Sequence, residues 1–417
     1  MRRGLIRVCS CTVLAFLTLF LFCSMAAAKE RATIETQQGA HQRLQEAEET
    51  ENKEVIEEKP SVAAEHEKQS QAHGIIKLEE EESPKEIQIL SGLPVEKVTL
   101  AGFIDLDNDY YEVSDVSDKE SGGRTDVGLG SVDLELRVFF NKWAKAKFTL
   151  AADDVGKQEE KTKIKVDEAF FTLKCPWVPL YFKGGYTTLP FGVFEDRLIT
   201  GTIIEDLYEI ERVGATLGFD PDFYGLDISF TVYAGQDIIK NLGNFNIDGY
   251  RVDREKKDDV SSFIANVTLE PVEDVLSLSV FYDSEPGDGR RNQTIGSAFT
   301  LDLWKFTFDA EYIAALQRQK RENGEESKES AWVVGLAFQP LESMPVALAV
   351  RYEDFADDLK ENQDEIIDDR YVAGFSYKFL EWATFFFEYN YLNYEKEEDS
   401  DAADHAYELH FRIDLAF

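Results

Sequence analysis

Between residues 95 and 417, apolar and polar side chains alternate in sixteen separate stretches, and the lengths of the connections alternate as well. A period of two puts successive side chains on opposite faces of a strand. In Val132-Asp-Leu134-Glu-Leu136-Arg-Val138 one face is apolar and the other carries Asp133, Glu135 and Arg137. The pattern returns in Leu226–Val232, Trp304–Tyr312 and Val346–Tyr352. It also ends the chain, where Tyr407, Leu409, Phe411, Ile413, Leu415 and Phe417 take every second place. Strands are expected near 97–107, 126–140, 143–153, 164–174, 179–187, 211–220, 224–235, 259–270, 274–283, 292–303, 304–315, 331–339, 345–355, 370–379, 382–394 and 405–417.

The connections say more than the strands. After even-numbered strands they are short: Asn141-Lys142, Pro176-Trp177-Val178, Pro221-Asp222-Phe223, Pro271-Val272-Glu273 and Leu380-Glu381. After odd-numbered strands they are mostly long and polar: 108–125, 154–163, 188–210, 236–258, 284–291, 316–330, 356–369 and 395–404. Short turns on one rim, long loops on the other and an even strand count describe a barrel that spans a bilayer. Closure leaves no edge strand and satisfies the backbone without water. A water-soluble sandwich or large soluble barrel would show similar alternation. It gives no reason for apolar faces that end in Phe, Tyr and Trp. The expected fold is therefore all-β: a transmembrane antiparallel up-and-down β-barrel of about sixteen strands, preceded by a short polar, partly helical periplasmic segment.

The first residues read as an export signal. Arg2, Arg3 and Arg7 precede an apolar run from Val13 to Phe22, and Ala26-Ala27-Ala28 offers a small-residue cleavage site. That run is too short to span a bilayer comfortably, which takes about 20 residues. Residues 29–94 are rich in Glu, Gln, Lys and Ala and almost free of aromatics. Apolar heptads there are too sparse for a stable coiled coil. The segment reads as a solvated linker, or as a short oligomerising or wall-spacing element. The expected organisation is a signal peptide at 1–28, the polar segment at 29–94 and the barrel at 95–417. Three of four cysteines lie in the signal, so the mature chain keeps only Cys175 and forms no internal disulfide.

Charge narrows the partners. The chain has 44 Lys+Arg against 81 Asp+Glu, a formal net charge of −37, whereas nucleic-acid binding calls for a basic surface. If the apolar faces meet lipid, the polar faces line a water-filled lumen. Arg137, Lys145, Lys147, Lys305, Arg351, Glu388, His410 and Arg412 are expected there. Opposed charges across the lumen would set up a transverse field that orients a polar solute. The third long loop, TLPFGVFEDRLITGTIIEDLYEI from Thr188 to Ile210, is more apolar than the others. Facing outward it would expose a large hydrophobic patch. Folding inward to narrow the pore removes that problem and makes Glu195, Asp196, Arg197, Glu205 and Asp206 the filter candidates. Packing of this loop against a neighbouring subunit is the alternative.

Two stretches carry a family resemblance: Val166-Asp-Glu-Ala-Phe-Phe-Thr-Leu173, and Gly184-Gly-Tyr186 followed by Leu189-Pro-Phe-Gly-Val-Phe-Glu195. Together with Glu209–Gly214 and Phe223-Tyr224-Gly225, they resemble the LbtU-type siderophore porins over roughly 98–240. The resemblance implies passage of a ferric siderophore across the outer membrane of a Gram-negative bacterium, and a helical segment before the barrel. It transfers no ligand residue. Energy-coupled siderophore receptors use a plugged 22-stranded barrel, and residues 29–94 are too few and too polar for a plug. Transport would therefore be diffusive.

The competing readings are a general or phosphate-selective porin, a barrel hydrolase and an anchoring protein. A phosphate channel needs an arginine and lysine ladder, and the lumen has mixed sign. A hydrolase needs a nucleophile beside a His, but the barrel offers only His405 and His410, with no Ser in their strand. Asp105-Leu-Asp107-Asn-Asp109 imitates the start of a calcium loop but lacks its Gly and terminal Glu. No metal, cofactor or catalytic residue is expected. The expected partners are outer-membrane lipid, the barrel-assembly machinery, a small-molecule solute and, in a homo-oligomer, further copies of the chain.

Overall fold

The computed structural model describes residues 95–114, 123–157, 162–194, 197–221, 223–245, 247, 250, 260–322, 324, 326, 328–340, 345–357, 366–395 and 405–417. The expected signal peptide and the polar segment to residue 94 lie outside the described residues. Sixteen strands close into one antiparallel barrel in chain order. They are β1 (Lys97–Ser114), β2 (Gly123–Asn141), β3 (Ala144–Val155), β4 (Lys163–Lys174), β5 (Leu180–Thr188), β6 (Glu211–Phe219), β7 (Asp227–Tyr233) and β8 (Ser262–Val272). The second half holds β9 (Leu276–Glu285), β10 (Asn292–Leu303), β11 (Phe306–Gln317), β12 (Glu329–Phe338), β13 (Val346–Asp357), β14 (Ile366–Leu380), β15 (Ala383–Glu395) and β16 (His405–Ala416). Two short helices, α1 (Ile203–Tyr208) and α2 (Asp237–Asn244), lie in the third and fourth long loops.

The end of the chain seals the barrel. β16 pairs with β1 from Phe103 opposite Ala416 to Ser114 opposite His405. One step further, Gly102 and Phe417 exchange both backbone hydrogen bonds, at 2.8 and 3.0 Å. The Phe417 ring lies over Gly102, where a Cβ would come within 2.2 Å of Cζ. An aromatic covering a strand glycine restores packing that the glycine lacks.

The outer face is apolar, with Leu134, Leu136, Phe148, Leu150, Phe171, Leu217, Phe230, Val280, Phe308 and Val350 exposed. Aromatics stand at both ends. At the short-turn rim Trp143, Trp177, Phe223, Tyr224, Trp304 and Trp382 are all exposed. Nearer the long loops, Trp332, Tyr352, Tyr371, Tyr391 and Tyr407 run side by side across β12–β16 with centroids 4.7–6.2 Å apart. Such paired girdles sit at the two water–lipid boundaries of a membrane barrel.

Several boundaries depart from expectation, among them the end of β1, which runs to Ser114 rather than to 107. Trp304 and Lys305 were expected to open β11, but they form the β10–β11 turn, with Trp304 at φ 58°. Lys305 therefore sits at the short-turn rim. Its amine donates to the Pro340 carbonyl and lies 4.6 Å from the Trp304 ring centroid. Asp105, Asp107 and Asp109 lie in β1, not in a loop. Asn266 is also in a strand, and its side-chain amide donates to the Pro190 carbonyl at 3.1 Å.

Candidate functional site

The third long loop enters the barrel and is bonded to inward-facing groups of five strands. It leaves β5, passes β8 at Pro190 and stacks Phe191 edge-on to Phe281 of β9 at 5.1 Å. The backbone N–H groups of Val193 and Phe194 then donate to the Glu311 carboxylate of β11, at 3.0 and 3.1 Å. Arg197 forks onto Asp309 of β11, at 3.2 and 3.0 Å. At the far side Glu388 of β15 accepts from the Ile199 and Thr200 N–H groups and from the Thr200 hydroxyl at 2.5 Å. The loop then returns by way of β14 and β13. Arg351 donates to the Thr200 and Gly201 carbonyls at 2.8 and 3.1 Å, and Arg370 also donates to Gly201 at 2.5 Å.

Turning the loop back needs a helix start, and Thr202-Ile-Ile-Glu205 supplies it. The Thr202 hydroxyl accepts from the Glu205 N–H at 3.0 Å, while the Glu205 carboxylate accepts from the Thr202 N–H at 3.2 Å. This reciprocal cap satisfies two of the donors that every helix start leaves open. The next donor, the Ile203 N–H, goes to Glu353 of β13 at 2.5 Å.

What holds the loop is mostly apolar. Ile203, Ile204, Leu207 and Tyr208 of α1 and Ile238, Ile239 and Leu242 of α2 form one buried cluster with inward residues of the wall. The wall contributes Ile264, Phe281, Ala298, Ile313, Ala331, Val333 and Phe355. Each large side chain so buried contributes roughly 1.5–3 kcal/mol. Room for the loop comes from small wall residues: Leu198 sits among Ala337, Ala349 and Val372. A Cβ on Gly374 would lie 2.7 Å from Leu198.

The loop thus occupies the side of the lumen bounded by β8–β15. The uncovered wall, β16 and β1–β6, carries charge in two zones. In the first, on β1 and β16, His410 lies between Asp109 at 2.7 Å and Glu408 at 3.2 Å. Arg412 pairs with Asp414 at 2.8 Å, and Lys157 reaches Asp109 at 3.3 Å. In the second, on β2–β5, Lys147 bridges Glu135 and Glu168 at 2.9 and 2.5 Å, and Arg137 also pairs with Glu135. Lys145 lies one inward step below Lys147 on β3 and faces Thr172 of β4. Lys183 of β5 faces Thr172 and Thr216. Its amine meets the Thr187 hydroxyl at 3.1 Å and the Phe170 ring at 4.1 Å, rather than a carboxylate.

The expected site residues therefore separate into groups. Arg137, Lys145, Lys147, His410 and Arg412 stand on the uncovered wall. Arg351, with 6% of its surface exposed, and Glu388, with none, are buried beneath the third loop. Arg197 is held against Asp309, and Glu205 is half-buried and taken up by capping. Asp206, on the polar edge of α1, is exposed. Glu195 and Asp196 lie outside the described residues. Sequence reasoning missed Lys157, Lys183, Arg370 and Asn390. It also missed the buried Arg318–Glu329 pair, 2.8 Å apart, at the ends of β11 and β12. Among the described residues, no cluster of three or more His, Cys, Asp or Glu is arranged to hold a metal ion.

Residues 80–408 match the model of the Gram-negative porins. The chain belongs to the Gram-negative porin family. It is an outer-membrane channel protein of a Gram-negative bacterium. No curated protein matches this porin's sequence. Solved structures share its fold at low identity. The anion-selective porin from Comamonas acidovorans superposes with a TM-score of 0.55 at 13% identity, over 77% of this chain and 99% of that one. The outer-membrane channel DcaP of Acinetobacter baumannii gives 0.57 at 12%, over 77% and 97%. OprB of Pseudomonas putida gives 0.54 at 10%, over 77% and 94%. At these identities the likeness is one of architecture.

Proposed function

We propose that this porin is a passive channel for small polar solutes, with its bore narrowed by the third loop. The observation that carries the reading is the anchoring of that loop's own backbone. Amide and carbonyl groups between Val193 and Ile203 bond to Glu311, Glu353, Arg351, Arg370 and Glu388, on four different strands. A sixteen-stranded barrel otherwise leaves a wide aqueous channel. On one side of the remaining passage, the exposed Asp206 marks the acidic edge of the loop. On the other, the β2–β5 wall carries Arg137, Lys145, Lys147 and Lys183 against two carboxylates, Glu135 and Glu168. A field between them orients dipolar or zwitterionic solutes and is strongest where water is scarce.

The ferric-siderophore cargo implied by the family resemblance is the narrower reading. Its motifs fall on β4 (166–173), β5 (184–186) and the described root of the third loop (189–194), which build the channel. The cargo therefore rests on the resemblance alone. Anion selectivity is the alternative, and Lys183 favours it, because that amine bonds to the Thr187 hydroxyl rather than directly to a carboxylate. Recognition of the Phe417-terminated strand by the barrel-assembly machinery, and association into a homo-oligomer, belong to the same proposal.

Planar-bilayer recording on the refolded porin tests this reading, with ferric chelates, phosphate and sugars added in turn as blockers. Stable conducting steps from heat-modifiable protein are expected. A folded barrel that does not conduct would contradict the channel, and block by ferric chelates alone would single out the siderophore cargo.

A further inference from the structure

The fourth loop contributes a helix that no other part of the channel accounts for. α2 carries Ile238, Ile239 and Leu242 at one side, each at most 1% exposed, and places them in the same cluster as Ile203, Ile204 and Leu207 of α1. Its start lacks a capping side chain, because Gln236 makes no such bond. The first helical N–H groups are met instead from the barrel wall. Glu285 of β9, fully buried, accepts from Asp237 N–H at 2.7 Å and Ile238 N–H at 3.2 Å. The same oxygen accepts from the Tyr233 hydroxyl at 3.1 Å.

Two further contacts tie α2 to the end of the third loop. Arg212, at the start of β6, forks onto Asp237 at 2.6 and 2.5 Å. The Asn241 side chain donates to the Glu209 carbonyl, one residue past α1, at 2.9 Å. The bonds from β11–β15 hold the far side of the third loop. Its return arm, α1 and Glu209, has α2 against it and the Arg212 anchor behind it.

We propose that α2 is the element that sets the position of the third loop across the bore, and that Glu285 and Arg212 are its positioning residues. This rests on the reading of the third loop as the constriction. Passage through the channel then depends on two loops, the third as barrier and the fourth as brace. Glu285 acts through a single acceptor oxygen, so an amide carbonyl in its place preserves the docking and a methyl group abolishes it.

Single-channel recording on the full-length porin tests the proposal, with heat-modifiable gel mobility confirming the barrel in each variant. Excision of Val193–Ile203 sets the conductance of the unnarrowed bore. Glu285→Ala, and separately Ile238→Ala with Leu242→Ala, are expected to raise conductance and current noise toward that level. Glu285→Gln is expected to match the natural protein, which a general loss of stability would not produce. Wild-type conductance and noise in both α2 variants, beside a raised value for the excision, would overturn the brace and leave the constriction standing. An unchanged excision variant would overturn both. If the double alanine variant does not assemble, the Ala and Gln variants at Glu285 decide the matter.

Discussion

The Glu353 carboxylate on β13 accepts the first free N–H of α1, that of Ile203, at 2.5 Å. The same carboxylate is held by Arg351 at 2.7 Å and by Arg370 at 2.9 Å. A fully buried acid is tolerable only when paired and hydrogen-bonded. Here its partners are two guanidinium groups that also grip the loop. Glu353→Ala would remove the carboxylate bonded directly to both buried arginines. Removing one partner of a buried pair costs about 3–5 kcal/mol, and a loss of that order is expected in denaturant unfolding, together with a noisier open channel.

Closure predicts a second outcome. Deleting Phe417 removes two backbone bonds to Gly102 and exposes the glycine. At about 0.5–1.5 kcal/mol per bond the folded barrel should survive but assemble more slowly, read as the heat-modifiable fraction over time. Gly102→Val, whose Cβ would meet the Phe417 ring, should give the same defect with the terminus intact.

Selectivity provides a third. Lys183→Glu reverses the sign of the β5 amine without touching the loop anchors. The reversal potential in a potassium chloride gradient should move toward cation preference, most at low salt, where screening is weakest. Lys305→Glu, at the short-turn rim, should move it far less.

The fourth concerns pH. Burial pushes the Glu209 carboxyl in the third loop up to about 7 from an ordinary 4.5, and the nearby Glu211 charge adds to the shift. An acid with a raised folded pKa contributes stability that is complete below 4.5 and lost as pH climbs through about 7. Between these values, rising pH should lower the unfolding midpoint and increase cation preference as the carboxylate forms. Glu209→Gln should flatten both responses.

The barrel was legible because the period-2 pattern and the alternating loop lengths are local consequences of a membrane wall. Val132–Val138 reads the same in isolation as in β2. Closure was legible from the aromatic end, which the structure places opposite Gly102 of β1. The inward course of the third loop was predicted from its apolar content, and its backbone anchors run inside the barrel. Which charges remain open to the bore was not legible, because alternation tells inside from outside but not whether another segment lies on top. Arg351 and Glu388 point inward, yet the loop covers them. A signal existed nonetheless: inward positions on β12–β14 are small at Ala331, Gly335, Ala337, Ala347, Ala349 and Gly374, where an open wall would carry charge. Thr202-Ile-Ile-Glu205 likewise announced a helix cap, which takes Glu205 from the filter. Lys183 lay hidden because the Gly-rich run beside it draws attention to the backbone.

The central claim is that the third loop, held from the walls, limits passage through the bore. The most direct measurement is the single-channel conductance of the full barrel against that of the Val193–Ile203 excision, in the same lipid and salt. A clear rise on excision is the expected result. Equal conductance from two folded, heat-modifiable barrels would contradict the account.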